Sequence, residues 1–262
     1  MTGRREFLLG VAALGATSAF PAARSVITAD YGPSKLDIYD PALGKRLPVI
    51  LYIHGGAWQV GSRKDVDAKP AFFRDLGFLF VSADYRLGPF HKPDRQAADV
   101  AAAYRWVREN IALHGGDPRR ILVMGHSAGS HLVALTALRG DLPGVAGLIL
   151  NDIQMYDIAK YAALRGGLPR HFAYLFPERK WPDLSPVSHL GSAPIPPTLI
   201  AYSKMPLSRE LSLDFAATLK ASGGNVSTFD GRAYKHIDID RKIGTENGGI
   251  SAAIAAFLQR YQ

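Results

Sequence analysis

From about residue 34 the chain alternates short β-rich runs, most of them continuously apolar, with longer stretches in which apolar residues recur every three or four positions. The runs are KLDIYD (35–40), PVILYIH (48–54), FLFVSA (78–83), RILVMG (120–125), GLILN (147–151), PTLIAYS (197–203) and NVSTFD (225–230). Continuous rather than alternating apolarity marks strands covered on both faces, and strands that alternate with helices give an α/β fold with a mainly parallel sheet.

The intervening segments carry helix punctuation. Asp94 is positioned to cap DRQAADVAAAYRWVRENIALHGG, in which Ala98, Ala102, Trp106 and Ile111 share a helical stripe and Gly115 and Gly116 close the element. Pro206 stands where a first turn would begin, ahead of Leu207, Leu211, Phe215 and Leu219 on one face. A last helix is expected over about 248–260. Residues 153–193 break the rhythm with Pro, Gly and aromatic residues, which predicts a small cap inserted over the strand ends.

Composition narrows the class. A chain of 262 residues, 47% hydrophobic and 21% charged, can bury one full core and shows no disorder signature. The formal charge of +8 comes from scattered Lys and Arg with no basic arm or zinc spacing, so a solvated basic surface is expected and not nucleic-acid binding. With no cysteine, disulfides and thiolate chemistry are excluded. Residues 1–23 hold Arg4 and Arg5, then Phe7, Leu8 and a weakly apolar Ala/Gly/Leu run. This segment resembles a twin-arginine export signal, which implies a periplasmic or secreted protein whose folded domain spans 24–262, with no stable membrane span once the signal is removed.

The chemistry concentrates in two stretches. GHSAGSH (125–131) follows the apolar ILVM and precedes LVALTAL, so Ser127 falls on a strand-to-helix turn whose flanking Gly125 and Gly129 leave room for close neighbours. HGGAW (54–58) follows PVILYI, and its glycine-rich turn can aim the amides of Gly56 and Ala57 into the space above Ser127. With the amide of Ala128 they would form an oxyanion hole.

Together with KLDIYDP, VSADYRL and AADVAAAYRWVREN, these stretches resemble the esterase and lipase group of the α/β-hydrolases, near the carboxylesterase and acetyl or feruloyl esterase-like branch. The resemblance covers about residues 34–151 and implies an eight-stranded sheet and a serine-dependent hydrolase of small-molecule esters. It implies His236, between the last strand and the last helix, as the base that takes the Ser127 proton. The acid departs from the pattern, because no carboxylate follows PTLIAYS before Glu210. Asp152, at the end of LILND, is the leading candidate, since some lipases of this fold carry their acid there, and Glu210 is the alternative. Asp157 reads as a capping residue and Asp238 lies too near His236 in sequence to orient it.

Trp58, beside the oxyanion turn, is expected to contact substrate, and the cap aromatics Tyr156, Tyr161, Phe172, Tyr174, Phe176 and Trp181 either line an acyl or aryl pocket or pack the cap. His131 is one helical turn beyond Ser127 and receives no role. No metal cluster, phosphate loop or dinucleotide fingerprint occurs, so no cofactor and no metal are expected. The leading expectation is an esterase acting on small to medium acyl or aryl esters, with an arylformamidase-like amide hydrolase and a non-catalytic ligand-binding protein as alternatives.

Overall fold

The computed structural model describes residues 25–262, so the export-signal segment lies outside the described residues. Eight strands form one sheet: β1 (Val26–Asp30), β2 (Lys35–Tyr39), β3 (Leu47–Ile53), β4 (Leu79–Ala83), β5 (Gly116–His126), β6 (Gly147–Asn151), β7 (Thr198–Ser203) and β8 (Val226–Gly231). Their spatial order is β1-β2-β4-β3-β5-β6-β7-β8, with β2 antiparallel to both of its neighbours, β1 and β4, and every pair from β4 onward parallel.

Seven of the strands fall on the apolar runs. The eighth, β1, escapes that reading because it is an edge strand whose Val26 and Ile27 stay exposed, so no buried face imprints a pattern on VITAD. In β3 the inward alternation is plain: Val49, Leu51 and Ile53 join one core, while Ile50 and Tyr52 join the core on the opposite face.

The helices divide between those two faces. They are α1 (Lys69–Asp75), α2 (Pro93–Asn110), α3 (Ala128–Leu138), α4 (Ile158–Arg165), α5 (Arg170–Ala173), α6 (Trp181–Leu184), α7 (Ser208–Ala221), α8 (Asp238–Arg241) and α9 (Gly249–Leu258). Helices α2, α3 and α7 and the cap cover one core, and α1 and α9 cover the other through Phe72, Phe73, Ile250, Ile254 and Phe257.

Three expectations for the helices need correction. The N-cap of α2 is Lys92, with Pro93 in the first turn, so Asp94 sits inside that turn and bonds the amide of Arg95. Its buried face is Ala97, Val100, Ala101, Tyr104 and Val107, and Ala98 points to solvent. Alanine on both faces of α2 leaves little contrast in the sequence between its buried and exposed sides. Helix α7 begins at Ser208 after Leu207 in a left-handed conformation (φ 65°), which places Pro206 outside it.

The cap consists of short helices, α4 to α6 with 3-10 turns, within the expected 153–193 region. Asp157 caps α4 by accepting from the Lys160 amide at 3.0 Å.

Behind the carboxyl ends of β3 and β6 lies a buried ionic network. Lys69 is fully buried and its Nζ is 2.7 Å from Asp240 Oδ2, which also accepts from Tyr52 at 3.0 Å, while Asn151 Nδ2 donates to Asp240 Oδ1 at 3.3 Å. Burial alone would favour the neutral acid, but the Lys69 charge and these donors hold the Asp240 carboxyl below its ordinary range. Removing one partner strands the other charge. Lys69→Met should therefore cost about 3–5 kcal/mol in urea-unfolding stability, while Lys69→Met with Asp240→Leu should recover most of it; equal losses in both variants would mean the network carries no such coupling.

Candidate active site

Ser127 is placed by steric exclusion. A Cβ on Gly129 would lie 2.1 Å from the carbonyl oxygen of Ile53, and one on Gly125 would lie 2.4 Å from the Gly129 carbonyl carbon, so the turn from β5 can bring α3 this close to β5 and β3 only with glycine at both positions. Between them Ser127 adopts φ 53°, ψ −122°, outside the regions open to most L-residues. Its amide donates to the Asn151 carbonyl at 2.9 Å, and Ser130 Oγ donates to the Gly125 carbonyl at 2.6 Å, fixing both sides of the turn.

The Ser127 hydroxyl is 2.9 Å from His236 Nε2, and His236 Nδ1 is 2.7 Å from Asp152 Oδ2. Asp152, the residue after β6, is fully buried in a left-handed turn (φ 57°), and its other oxygen accepts from the Ser203 amide at 2.8 Å and from the Ser208 hydroxyl. Burial opposes its ionisation, but the hydrogen bonds from His236, Ser203 and Ser208 outweigh burial and hold the carboxyl below its usual range. An ionised Asp152 can only accept, so Nδ1 of His236 carries its proton and Nε2 presents a lone pair to the Ser127 hydroxyl.

Glu210 does not join this group: it is exposed on the first turn of α7. Asp238 opens α8, two residues beyond His236, and no bond joins the two. The sequence left the acid open because its choice depends on β6 and β7 being neighbours. The donors on Asp152 come from Ser203 and Ser208, 51 and 56 residues away.

A cavity of about 830 Å³ opens at this point, lined by Gly56, Ala57, Trp58, Ser127 and His236 on the sheet side and by Tyr161 and Phe172 from the cap. The turn carrying Gly56, Ala57 and Trp58 has positive φ at three successive residues (118°, 53° and 62°). For Ala and Trp that conformation costs about 1–2 kcal/mol each, so the surroundings must hold it. They do so partly through the Trp58 carbonyl, which accepts from the Gly88 amide at 2.8 Å and Gln96 Nε2 at 2.7 Å. Ala128 begins α3, where its amide has no intrahelical acceptor.

The aromatic expectations separate. Trp58 touches the cavity but is 1% exposed, wedged against the rings of His131, Phe172 and Phe176. Tyr156 stacks on Phe215, Phe176 is buried, and Trp181 donates to the Phe176 carbonyl, so these pack the cap; Tyr174 faces solvent. Among the described residues no group of three or more His, Asp or Glu is placed to hold a metal ion.

Residues 36–158 match the BD-FAE family model. An esterase of Pyrobaculum calidifontis superposes with a TM-score of 0.68 at 26% identity over 90% of this chain and 85% of that one. A propionate-bound esterase from Thermogutta terrifontis gives 0.72 at 25% over 92% and 96%. This chain has the α/β-hydrolase fold.

In sequence the chain is 41% identical to Esterase LipQ of Mycobacterium tuberculosis over 124 residues, 44% of this chain and 29% of LipQ. It is 42% identical to Carboxylesterase NlhH of the same organism over 100 residues, 38% of this chain and 31% of NlhH. The matched segment thus spans less than a third of either curated relative.

Sequence reasoning missed two histidines beside the site. His126 Nε2 donates to the His236 carbonyl at 2.9 Å, and the two rings lie 4.9 Å apart. His131 is fully buried, and burial pushes its imidazole down to about 4. Burial lowers His54 and His126 as well. A depressed histidine binds fewer protons folded than unfolded, so its contribution is whole above pH 6.5 and lost as pH falls. For His131 the loss extends from pH 6.5 to about 4 and amounts to something on the order of 3 kcal/mol. Unfolding free energies measured across this interval should fall toward acid, with a shallower slope in His131→Asn; an unchanged slope would show that His131 does not couple to folding.

Proposed function

We propose that this protein is a serine carboxylic ester hydrolase acting on small to medium acyl or aryl esters. The observation that carries the reading is the pair of hydrogen bonds, Ser127 Oγ to His236 Nε2 at 2.9 Å and His236 Nδ1 to Asp152 at 2.7 Å, at an open cavity. The esterase names of the relatives and of the solved structures support the same class.

In this mechanism Ser127 Oγ attacks the ester carbonyl carbon while its proton passes to His236 Nε2. The carbonyl oxygen gains negative charge and is met by the amides of Gly56, Ala57 and Ala128. Asp152 stays ionised, holds the imidazole in the required tautomer and stabilises the imidazolium. Collapse of the tetrahedral adduct breaks the bond to the alcohol oxygen, which takes the proton from His236. The acyl group stays on Ser127. Water then attacks the acyl-enzyme, giving its proton to His236, and the same steps in reverse release the acid and restore the serine.

The cavity supports an acyl group longer than acetyl, and Tyr161 and Phe172 give it an apolar, aromatic wall. The His236–Asp152 bond also removes the motive for a non-catalytic reading, which was the missing carboxylate after β7. Kinetics with p-nitrophenyl acetate and butyrate at neutral pH test the assignment. Ser127→Ala should leave only background hydrolysis, Asp152→Asn should lower kcat by about 10⁴, and Glu210→Gln should change kcat/KM less than about twofold. Equal damage from the Glu210 and Asp152 variants would refute the choice of acid.

For the compartment we propose export, on the strength of the Arg4–Arg5 segment. Replacing both arginines by lysine should leave esterase activity in the cytoplasmic fraction of expressing cells, and unchanged export would contradict it.

A further inference from the structure

Trp58 follows Gly56 and Ala57, the oxyanion donors of the proposed mechanism, and it shares their positive φ, at 62°. Glycine would adopt such a turn freely, whereas Ala57 and Trp58 keep it only if their surroundings prevent relaxation. The Trp58 carbonyl is tied to Gly88 and Gln96. Its indole ring is held from the other side, with Phe172 and Phe176 of the cap at centroid distances of 5.3 and 4.7 Å and His131 at 5.3 Å.

His131 is the polar member of this contact, and its hydrogen bonds determine its tautomer. Nε2 lies 2.8 Å from the Leu184 carbonyl, which can only accept, so Nε2 carries the proton. Nδ1 is then a bare lone pair, and the Trp58 indole N–H donates to it at 3.3 Å. The backbone amide of His131 donates to the Ser127 carbonyl at 3.2 Å. One fully buried residue therefore touches the nucleophile turn, the oxyanion turn and the cap.

We propose that His131 is a positioning residue of the oxyanion hole, holding the Trp58 indole so that the Gly56 and Ala57 amides stay aimed at the carbonyl oxygen above Ser127. It does not touch the reacting atoms. The proposal rests on the esterase reading, because a turn that stabilises no oxyanion needs no such support. Its signature is selective: the transition state, which bears the oxyanion, loses more than the ground-state ester does. Displacing donors by a fraction of an ångström to 1 Å is enough to cost about 10- to 100-fold in rate.

The test compares His131→Phe, which keeps the ring and removes both hydrogen bonds, with His131→Asn, whose side-chain oxygen can accept at the Nδ1 position. Trp58→Phe and the double variant Trp58→Phe with His131→Phe complete a cycle. Each is measured as kcat and KM on p-nitrophenyl butyrate per site titrated by an organophosphonate, and as Ki for a trifluoromethyl ketone, whose hydrated or serine-bound oxygen occupies the oxyanion position.

In His131→Phe, kcat per titrated site should fall about tenfold or more with KM little changed, and the ketone Ki should rise by a similar factor. His131→Asn should restore most of the rate, and the double variant should be no slower than the worse single one. If His131→Phe loses titratable sites but turns over normally at each remaining site, the residue is merely structural and the proposal is overturned. Fully additive losses in the cycle also overturn it. Failure of the esterase reading would look different, as wild-type protein whose turnover equals that of Ser127→Ala.

Discussion

Between Gly129 and the Ile53 carbonyl there is no room for a methyl group, and that contact sets the height at which α3 crosses the end of β3. Because α3 must start so close to the sheet, the chain can leave β5 only through the turn at Ser127, with its backbone at φ 53° and its side chain raised toward the cavity. The same approach brings the Gly55–Trp58 turn alongside, since a Cβ on Gly55 would meet the Ser127 Cβ at 3.1 Å. Ser127 and that turn are therefore positioned by one steric fit rather than by two independent loops.

Opposite electrostatic solutions surround that fit. The acid at the front, Asp152, is kept ionised by three hydrogen-bond donors and passes its orientation to His236. The carboxylate behind, Asp240, is kept ionised by a buried lysine and anchors the segment just after His236. Between them Asn151 bonds both systems, giving its carbonyl to the Ser127 amide and its Nδ2 to Asp240. The histidine loop is held at one end by its acid and at the other by an ion pair, with His126 gripping the His236 carbonyl in between. A catalytic imidazole needs this kind of restraint, because its tautomer and direction must survive each proton transfer.

What the sequence made legible follows from which interactions are local. Most strands are visible as apolar runs because both faces of the sheet are covered there, and Ser127 and the HGGAW turn are visible because close packing demands glycine at fixed spacing. The edge strand at Val26–Asp30 was invisible because it buries too little to need a pattern. The choice between Asp152 and Glu210 was open for a different reason: it is decided by β6 and β7 lying side by side, which lets Ser203 and Ser208 reach Asp152. His131 offered only the signal of a titratable residue in the all-apolar stretch after GHSAGS, and its partners, Trp58 and Leu184, are remote in sequence. Lys69 gave a comparable hint, a lysine leading directly into PAFF, where α1 turns its apolar face inward.

The central claim is that Ser127, and no other hydroxyl, is the nucleophile, activated by His236. Its most direct test is to treat the protein with a fluorophosphonate probe, follow labelling against pH and map the modified peptide by mass spectrometry. The account predicts one adduct per chain, on Ser127, forming much more slowly in His236→Ala. Labelling spread over several hydroxyls, or labelling of Ser127 at the same rate without His236, would contradict it.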